Sequence, residues 1–562
     1  MGTGRIWFLG LLAAGIWFLS VYGSGSPAPL PLDAPDTVFS AARADATLAR
    51  LLGSERPRPA GSPEAAAFRA RLQQDLTALG VPHQAITKKS CYARWGQMRC
   101  LTVTNIRAVV VPGAKRTEQS PEVLLMAHTD SVPRGPGAAD DASGVATILE
   151  TIRALKARGL DGSRPLAALF TDGEERGLFG AFGYAADPAN IARTGVVVNV
   201  EARGNQGPSL LFQTHPGDAP LIDLYAKAAP NPAASSLYAE IYRVLPNNTD
   251  LTPFLEAGVP GVNFAFIGNL RQYHSADDRR ANISPTTLQH HGDNVLALTQ
   301  ALTRVDPATL QGGKAIYLDV LRRWLPRLPA SWALPLSVVA FFLITVAGWR
   351  TRRERGTQRP VAAAFAPVML LLLCLLAGFA LYAPMALTGT PTLNPDNPTL
   401  RAILIAAGTG GPWPGDPVWL RLALAFGVWA AALWTARWAG PIACWLWFAG
   451  LAVASAIWLP GLSPYFLFPS LVAAPLLLVT ARRGRDVALF VSALAAMVIW
   501  IGFNAGAEDI QGLRLHPLFT LTAAFALLSL LPLMAGRKLG GSALVSFGLA
   551  LVFAVVAGFN AV

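Results

Sequence analysis

The amino-acid sequence predicts an α/β domain, with a mainly parallel central sheet flanked by helices, followed by an all-α domain of membrane-spanning helices. Three observations carry this prediction. Residues 24–325 mix charged and turn-forming residues with short apolar runs, whereas residues 332–562 are almost continuously apolar. The chain is 52% hydrophobic and only 14% charged, which is too apolar for an ordinary soluble protein. Within the first part, short apolar runs alternate with helical stretches, and that alternation yields a mainly parallel sheet wrapped by helices.

The first apolar run, residues 6–22, follows Arg5 and precedes a Ser/Gly/Pro-rich stretch. It is about 17 residues long, enough to span a bilayer. A cleaved signal peptide is the competing reading, since residues 23–26 are small. A retained anchor over residues 1–23 is the expectation, followed by a domain over 24–330 and a transmembrane domain over 331–562.

In the middle domain, residues 122–127 (EVLLMA) suit a buried strand, and 143–158 read as the helix after it. Further strands are expected at 165–170, 195–200 and 261–266. A long helix opens with Ser284 as N-cap and Pro285 at the first helical position. Beyond residue 331, about eight spans fall near 332–349, 361–387, 418–437, 440–459, 464–480, 486–504, 517–535 and 541–560. A short apolar piece at 400–408 reads as re-entrant or interfacial.

The charge pattern orients these spans. Net charge is +12, but the excess sits in clusters beside apolar runs: Arg350, Arg352, Arg353, Arg355 and Arg359, then Arg482, Arg483 and Arg485, then Arg537 and Lys538. With Arg5 inside, alternation of the spans puts every cluster inside and leaves Asp396, Asp416, Glu508 and Asp509 outside, as the positive-inside rule requires. The middle domain is then extracytoplasmic, in a periplasm or an organelle lumen. A nucleic-acid partner would need a basic stripe on one soluble face, and none is visible. Of four cysteines, Cys374 and Cys444 lie in apolar runs, while Cys91 and Cys100 are either a disulfide or two buried thiols.

Ligands of such sheets sit beyond the carboxyl ends of strands, and the polar motifs lie there. After the first strand comes His128-Thr129-Asp130, then Asp140-Asp141-Ala142-Ser143-Gly144 at the start of a helix. After the next strands come Asp172-Gly173-Glu174-Glu175, Glu201-Ala202-Arg203, and Tyr273-His274. Taken singly, each has a bland explanation: a helix cap, a solvated acidic pair, a structural histidine. Five together at successive strand ends would concentrate unpaired buried charge unless a metal neutralised it. Mixed imidazole and carboxylate ligands suit zinc, with cobalt and manganese also compatible.

These motifs resemble the co-catalytic di-zinc aminopeptidase and glutamate carboxypeptidase family, and most closely its multi-span vacuolar and endoplasmic-reticulum membrane metallopeptidases (the Fxna-related group). The motif resemblance covers roughly residues 120–300, and the layout of anchor, peptidase domain and later spans extends it. It implies an exopeptidase acting on peptides with two zinc ions: His128 and Glu201 bind one, Glu175 and His274 the other, and Asp140 bridges both. It further implies Glu174 as general base, Asp130 hydrogen-bonded to His128, Tyr273 donating to the tetrahedral intermediate, and Asp141 beside an unusual cis peptide. Three ligand carboxylates against two divalent cations leave one positive charge, which favours ionising a water. Many soluble members have Asp where this chain has Glu201, so the pocket differs there.

The remaining candidates have plainer readings. His290 and His291 on the last helix of the domain read as structural, and Arg203 is either a salt-bridge partner or a contact for a substrate carboxylate. The rival functions are a transporter with a regulatory domain and a receptor-like relative without activity. Transport calls for ionisable residues within spans, and Arg421 lies near enough to a helix end to snorkel. A receptor-like relative would have lost ligands, and every ligand position is filled.

Overall fold

The computed structural model describes residues 4–20, 27–94, 97–111, 121–160, 164–245, 247–355, 360–388, 417–440, 442–480, 484–511, 513, 515–535 and 539–559. Two compact units emerge: residues 26–329, and residues 1–25 together with 330–562.

The first unit is built on a seven-stranded sheet: β1 (His83–Arg94), β2 (Gln97–Val111), β3 (Glu122–His128), β4 (Leu166–Thr171), β5 (Thr194–Ala202), β6 (Gln206–Thr214) and β7 (Gly261–Gly268), in spatial order β1-β2-β4-β3-β5-β7-β6. The four central strands, β4, β3, β5 and β7, are parallel, and the flanking pairs are antiparallel. The sheet is therefore mixed, with a parallel centre. Every residue of β3, β4 and β5 is buried, which is why these strands read as continuous apolar runs. A two-stranded sheet of β8 (Ala315–Tyr317) and β9 (Arg327–Pro329) completes the unit.

Helices Ala41–Leu52, Gly144–Arg158 and Pro285–Leu302 contribute their buried faces to one core cluster that includes Phe39, Phe68 and Phe264. A smaller cluster on the other side includes Leu124, Met126, Tyr184 and Phe254. Ser284 caps Pro285–Leu302 by accepting from the Thr287 N–H, with Pro285 at the start. Cys91 and Cys100 face each other across β1 and β2 and form a disulfide.

β4 lies on one side of β3 and β5 on the other. The chain thus reverses its winding direction at β3, and the carboxyl ends of β3 and β5 open a crevice there.

The second unit is helical. Among the described residues, seven of its helices are long and apolar enough to cross a membrane, and Ala443–Trp458 and the apolar part of Gly4–Phe18 are shorter. The span expected at 440–459 is thus a helix of only 16 residues, roughly 24 Å at 1.5 Å per residue. Arg421 does not reach away from the helices: its guanidinium pairs with Glu508 at 2.5 Å and lies 5.2 Å from the centre of the Trp17 ring. Arg359, Arg482, Arg483, Arg537, Lys538, Asp396, Asp416 and the 400–408 piece lie outside the described residues.

Candidate metal centre

His128 is the last residue of β3, and pairing with Thr171 on β4 fixes its backbone. Its imidazole is fully buried, with Nδ1 3.1 Å from the Asp130 carbonyl oxygen and 3.5 Å from Asp130 Oδ1. That leaves Nε2 aimed at the crevice, 3.0 Å from Asp140 Oδ1 and 3.8 Å from Glu201 Oε2. Glu201 lies one residue before the end of β5 and its Oε1 accepts from Asn199 Nδ2 at 3.2 Å. The two side chains share a face because they are two residues apart on a strand.

Asp140 and Asp141 occupy the turn before helix Gly144–Arg158 and are joined by a cis peptide bond. Their carboxylates do different things. Asp141 accepts backbone N–H donors from His128 at 3.1 Å and from Gly144 at 3.2 Å. A Cβ on residue 144 would sit 2.3 Å from the Asp141 carboxylate, so only glycine allows this contact. Asp140 instead faces two imidazoles, with Oδ1 toward His128 and Oδ2 3.3 Å from His274 Nε2. His274 Nε2 is also 3.1 Å from Glu175 Oε2.

Asp130 has a second task beside facing His128. Its carboxylate holds the Glu174–Glu175 turn as much as the histidine: Oδ1 accepts from the Glu174 N–H at 3.1 Å and Oδ2 from the Glu175 N–H at 3.3 Å. Glu174 and Glu175 are thereby tied to the loop that follows His128. The Tyr273 ring stacks on that of His274 at 3.7 Å between centroids.

Burial raises Glu201 to about 8 and Asp250 to about 7. Burial also works to raise Asp140, but the His128 and His274 imidazoles beside it prevail and hold it well below the carboxylate range. A metal fits these residues on their own chemistry. The donor atoms of His128, Asp140 and Glu175 lie within 4.8 Å of one another, as do those of His128, Asp141 and Glu201. Glu175 Oε1 and His274 Nε2 are buried without a properly directed hydrogen bond, and such orphans call for another partner. All eight residues singled out from the sequence, His128, Asp130, Asp140, Glu174, Glu175, Glu201, Tyr273 and His274, belong to this one region.

Other contributors escaped the sequence reading. Arg58 is fully buried; it donates to the carbonyl oxygens of Thr129 at 2.8 Å and Gly137 at 2.7 Å, and also to that of Pro136. It thus straps the two loops that carry His128 and Asp140. Asp278 accepts from the N–H groups of Ala139 at 2.7 Å and Asp140 at 3.2 Å. Asp250 accepts from Thr171 Oγ1 at the end of β4. The Pro57-Arg58-Pro59 run was the only local hint. His290 and His291 are buried, bonded to Asn231 and Ser209, and lie outside the centre.

Residues 105–299 match the model of Peptidase family M28, so the chain carries a Peptidase M28 domain. It is similar to endoplasmic reticulum metallopeptidase 1 of Mus musculus, 32% identical over 224 residues that make up 39% of this chain and 25% of the relative. The human protein of the same name matches equally. A vacuolar membrane protease of Yarrowia lipolytica is 31% identical over 202 residues, 35% of this chain and 20% of the relative. The chain spans about a quarter of the length of the first of these relatives. These are the groups that the motifs resemble. Among solved structures, a zinc aminopeptidase from Bacillus subtilis aligns at 17% identity and TM-score 0.40, over 48% of this chain and 97% of that one. A glutaminyl cyclase from Porphyromonas gingivalis aligns at 21% identity and TM-score 0.39, over 48% and 100%.

Proposed function

We propose that this chain is a membrane-anchored zinc metallopeptidase, an exopeptidase whose centre holds two zinc ions bridged by Asp140. The observation that carries the proposal is the division of the Asp140 carboxylate, one oxygen 3.0 Å from His128 Nε2 and the other 3.3 Å from His274 Nε2. Zinc is bound by imidazole and carboxylate alike, and one carboxylate serving two histidines sorts the ligands into two sets. His128 and Glu201 form one set, Glu175 and His274 the other. Asp141 is the weaker candidate for the bridge, since both its oxygens already accept backbone N–H groups. Its task is to fix the turn.

Zinc in this centre would supply Lewis acidity to the scissile carbonyl and acidify the attacking water. Glu174 is the proton carrier. Its carboxylate takes the proton of that water and delivers it to the leaving amine, with the backbone beneath it held by Asp130. The Tyr273 hydroxyl donates to the carbonyl oxygen as it gains charge. Asp130 acts through others, setting the His128 ring and the Glu174–Glu175 turn.

An extracytoplasmic side for the domain is supported by the Cys91–Cys100 disulfide, a bond that persists in oxidising compartments, and by the basic clusters between spans. The M28 domain with its filled ligand set favours an enzyme over the transporter and receptor-like readings.

Two neighbouring substitutions test the division of roles. Glu175→Gln should lose zinc, because it neutralises a ligand. Glu174→Gln should keep zinc yet lose turnover by about 10²–10⁴-fold, the usual contribution of a general acid–base group. Metal analysis and peptide-hydrolysis rates on both variants decide it. Near-normal turnover in Glu174→Gln, or zinc lost from that variant alone, would refute the assignment.

A further inference from the structure

Arg203 lies two residues beyond Glu201, just past the end of β5, where its N–H donates to the Phe266 carbonyl at 2.9 Å. The strand register therefore fixes where its side chain starts. Its guanidinium lies 5.7 Å from the centre of the Tyr273 ring and 5.9 Å from that of Tyr242. Tyr273 in turn stacks on His274, so one aromatic ring separates the guanidinium from a proposed zinc ligand. Tyr242 is held by an edge contact to Phe212, with centroids 4.8 Å apart and the rings at 77°.

Aromatic faces attract a cation, but they leave the N–H edge of the guanidinium unused. That edge carries five donors in a planar fork. Arg58 spends its donors on three carbonyl oxygens of the protein. Arg203 does not: among the described residues its guanidinium donates no hydrogen bond and makes no ion pair with a carboxylate. A half-buried guanidinium positioned by aromatic faces beside a reaction centre, with its fork free, has the geometry that binds a carboxylate through two parallel hydrogen bonds.

We infer that Arg203 binds a carboxylate of the substrate, and so makes peptides that present one next to the scissile bond the preferred substrates. This rests on the peptidase reading above. The carboxylate comes either from the free C-terminus of a short peptide or from an acidic side chain, and the two are separable by experiment.

The test uses the full-length, zinc-loaded protein in detergent with matched short peptides: C-terminal acid against C-terminal amide, and Glu against Gln beside the scissile bond. Arg203→Met should lower kcat/KM for the carboxylate-bearing member of one pair by about ten- to a hundredfold, mostly through KM, as loss of a charged hydrogen bond in uniform binding does. Its neutral counterpart should change by less than about threefold. Arg203→Lys should fall between, keeping the charge but not the fork. Equilibrium binding of the same peptides to the Glu174→Gln protein reads affinity apart from turnover and should show the same preference. The pair that responds identifies the carboxylate. An equal loss on both members of each pair would assign Arg203 a purely structural role, and no loss on either would also overturn the inference, while the peptidase reading stands. Failure of the wild-type protein to cleave any of the peptides would instead refute the peptidase reading.

Discussion

Arg58→Met should destabilise the M28 domain far more than an ordinary arginine substitution, because Arg58 serves protein carbonyls in the interior. Its guanidinium donates to the carbonyl oxygens of Thr129, Pro136 and Gly137, the last of which also accepts from the Ala142 N–H at 3.3 Å, and its flat face covers the Phe68 ring at 4.5 Å. Met keeps the apolar contact and abandons the carbonyls. Each hydrogen bond from a charged donor contributes about 1.5–3 kcal/mol, so the gross loss is at most roughly 4.5–9 kcal/mol. Releasing a guanidinium from burial returns several kcal/mol of that, and a net loss of about 3–5 kcal/mol remains, the size seen when one partner of a buried charged pair is removed. At about 2–4 °C per kcal/mol for a domain of this order of size, the melting temperature should fall by roughly 6–20 °C. Arg58→Lys can serve fewer carbonyls and should cost about half as much. Thermal unfolding of the full-length protein in detergent, followed with and without zinc, measures both. A fall below about 2 °C in Arg58→Met would refute the strap, since the buried carbonyls of Thr129 and Pro136 cannot lose their donor so cheaply.

Other consequences are open to direct measurement. Replacing both Cys91 and Cys100 with Ser removes a closure between residues nine apart in sequence and should cost about 2–3 kcal/mol of unfolding free energy; an unchanged denaturation midpoint would contradict that. In the helical unit, Arg421→Leu leaves Glu508 without its partner and should lower the melting temperature, while the double change with Glu508→Leu should recover much of the loss; two additive losses would argue against coupling. Reporter fusions after Gly313 and after Thr357 should give opposite signals, and the same signal from both would sink the proposed sidedness.

The parts of the fold legible in the sequence were those whose burial is uniform. β3, β4, β5 and β7 are buried nearly throughout, so each reads as a largely apolar run. β1 contains Lys88, Lys89 and Arg94 and lies at the sheet edge, where one face meets solvent and the apolar signal fades. β6, at the other edge, went unseen as well, and with these strands went the antiparallel flanks. The candidate metal ligands were legible because each lies at the end of a strand or in the segment that follows one, and strand ends are where such sheets place their chemistry. Arg58, Asp250 and Asp278 were not, because their roles exist only through contacts with carbonyls, hydroxyls and amides distant in sequence: Arg58 is 71 residues from Thr129, and Asp278 is 138 from Asp140. Arg203 was noticed as a neighbour of Glu201, but its two aromatic partners come from a helix and a loop that no local pattern links to β5.

If Asp140 divides its two oxygens between two zinc sites, the metal stoichiometry of the chain follows. Full-length protein freed of metal by a chelator, reloaded with zinc and desalted, should contain two zinc ions per chain by elemental analysis, and Asp140→Asn should fall well below that because it weakens both sites at once. One zinc per chain in the wild-type protein, with the second position unfilled at saturating metal, would contradict the account.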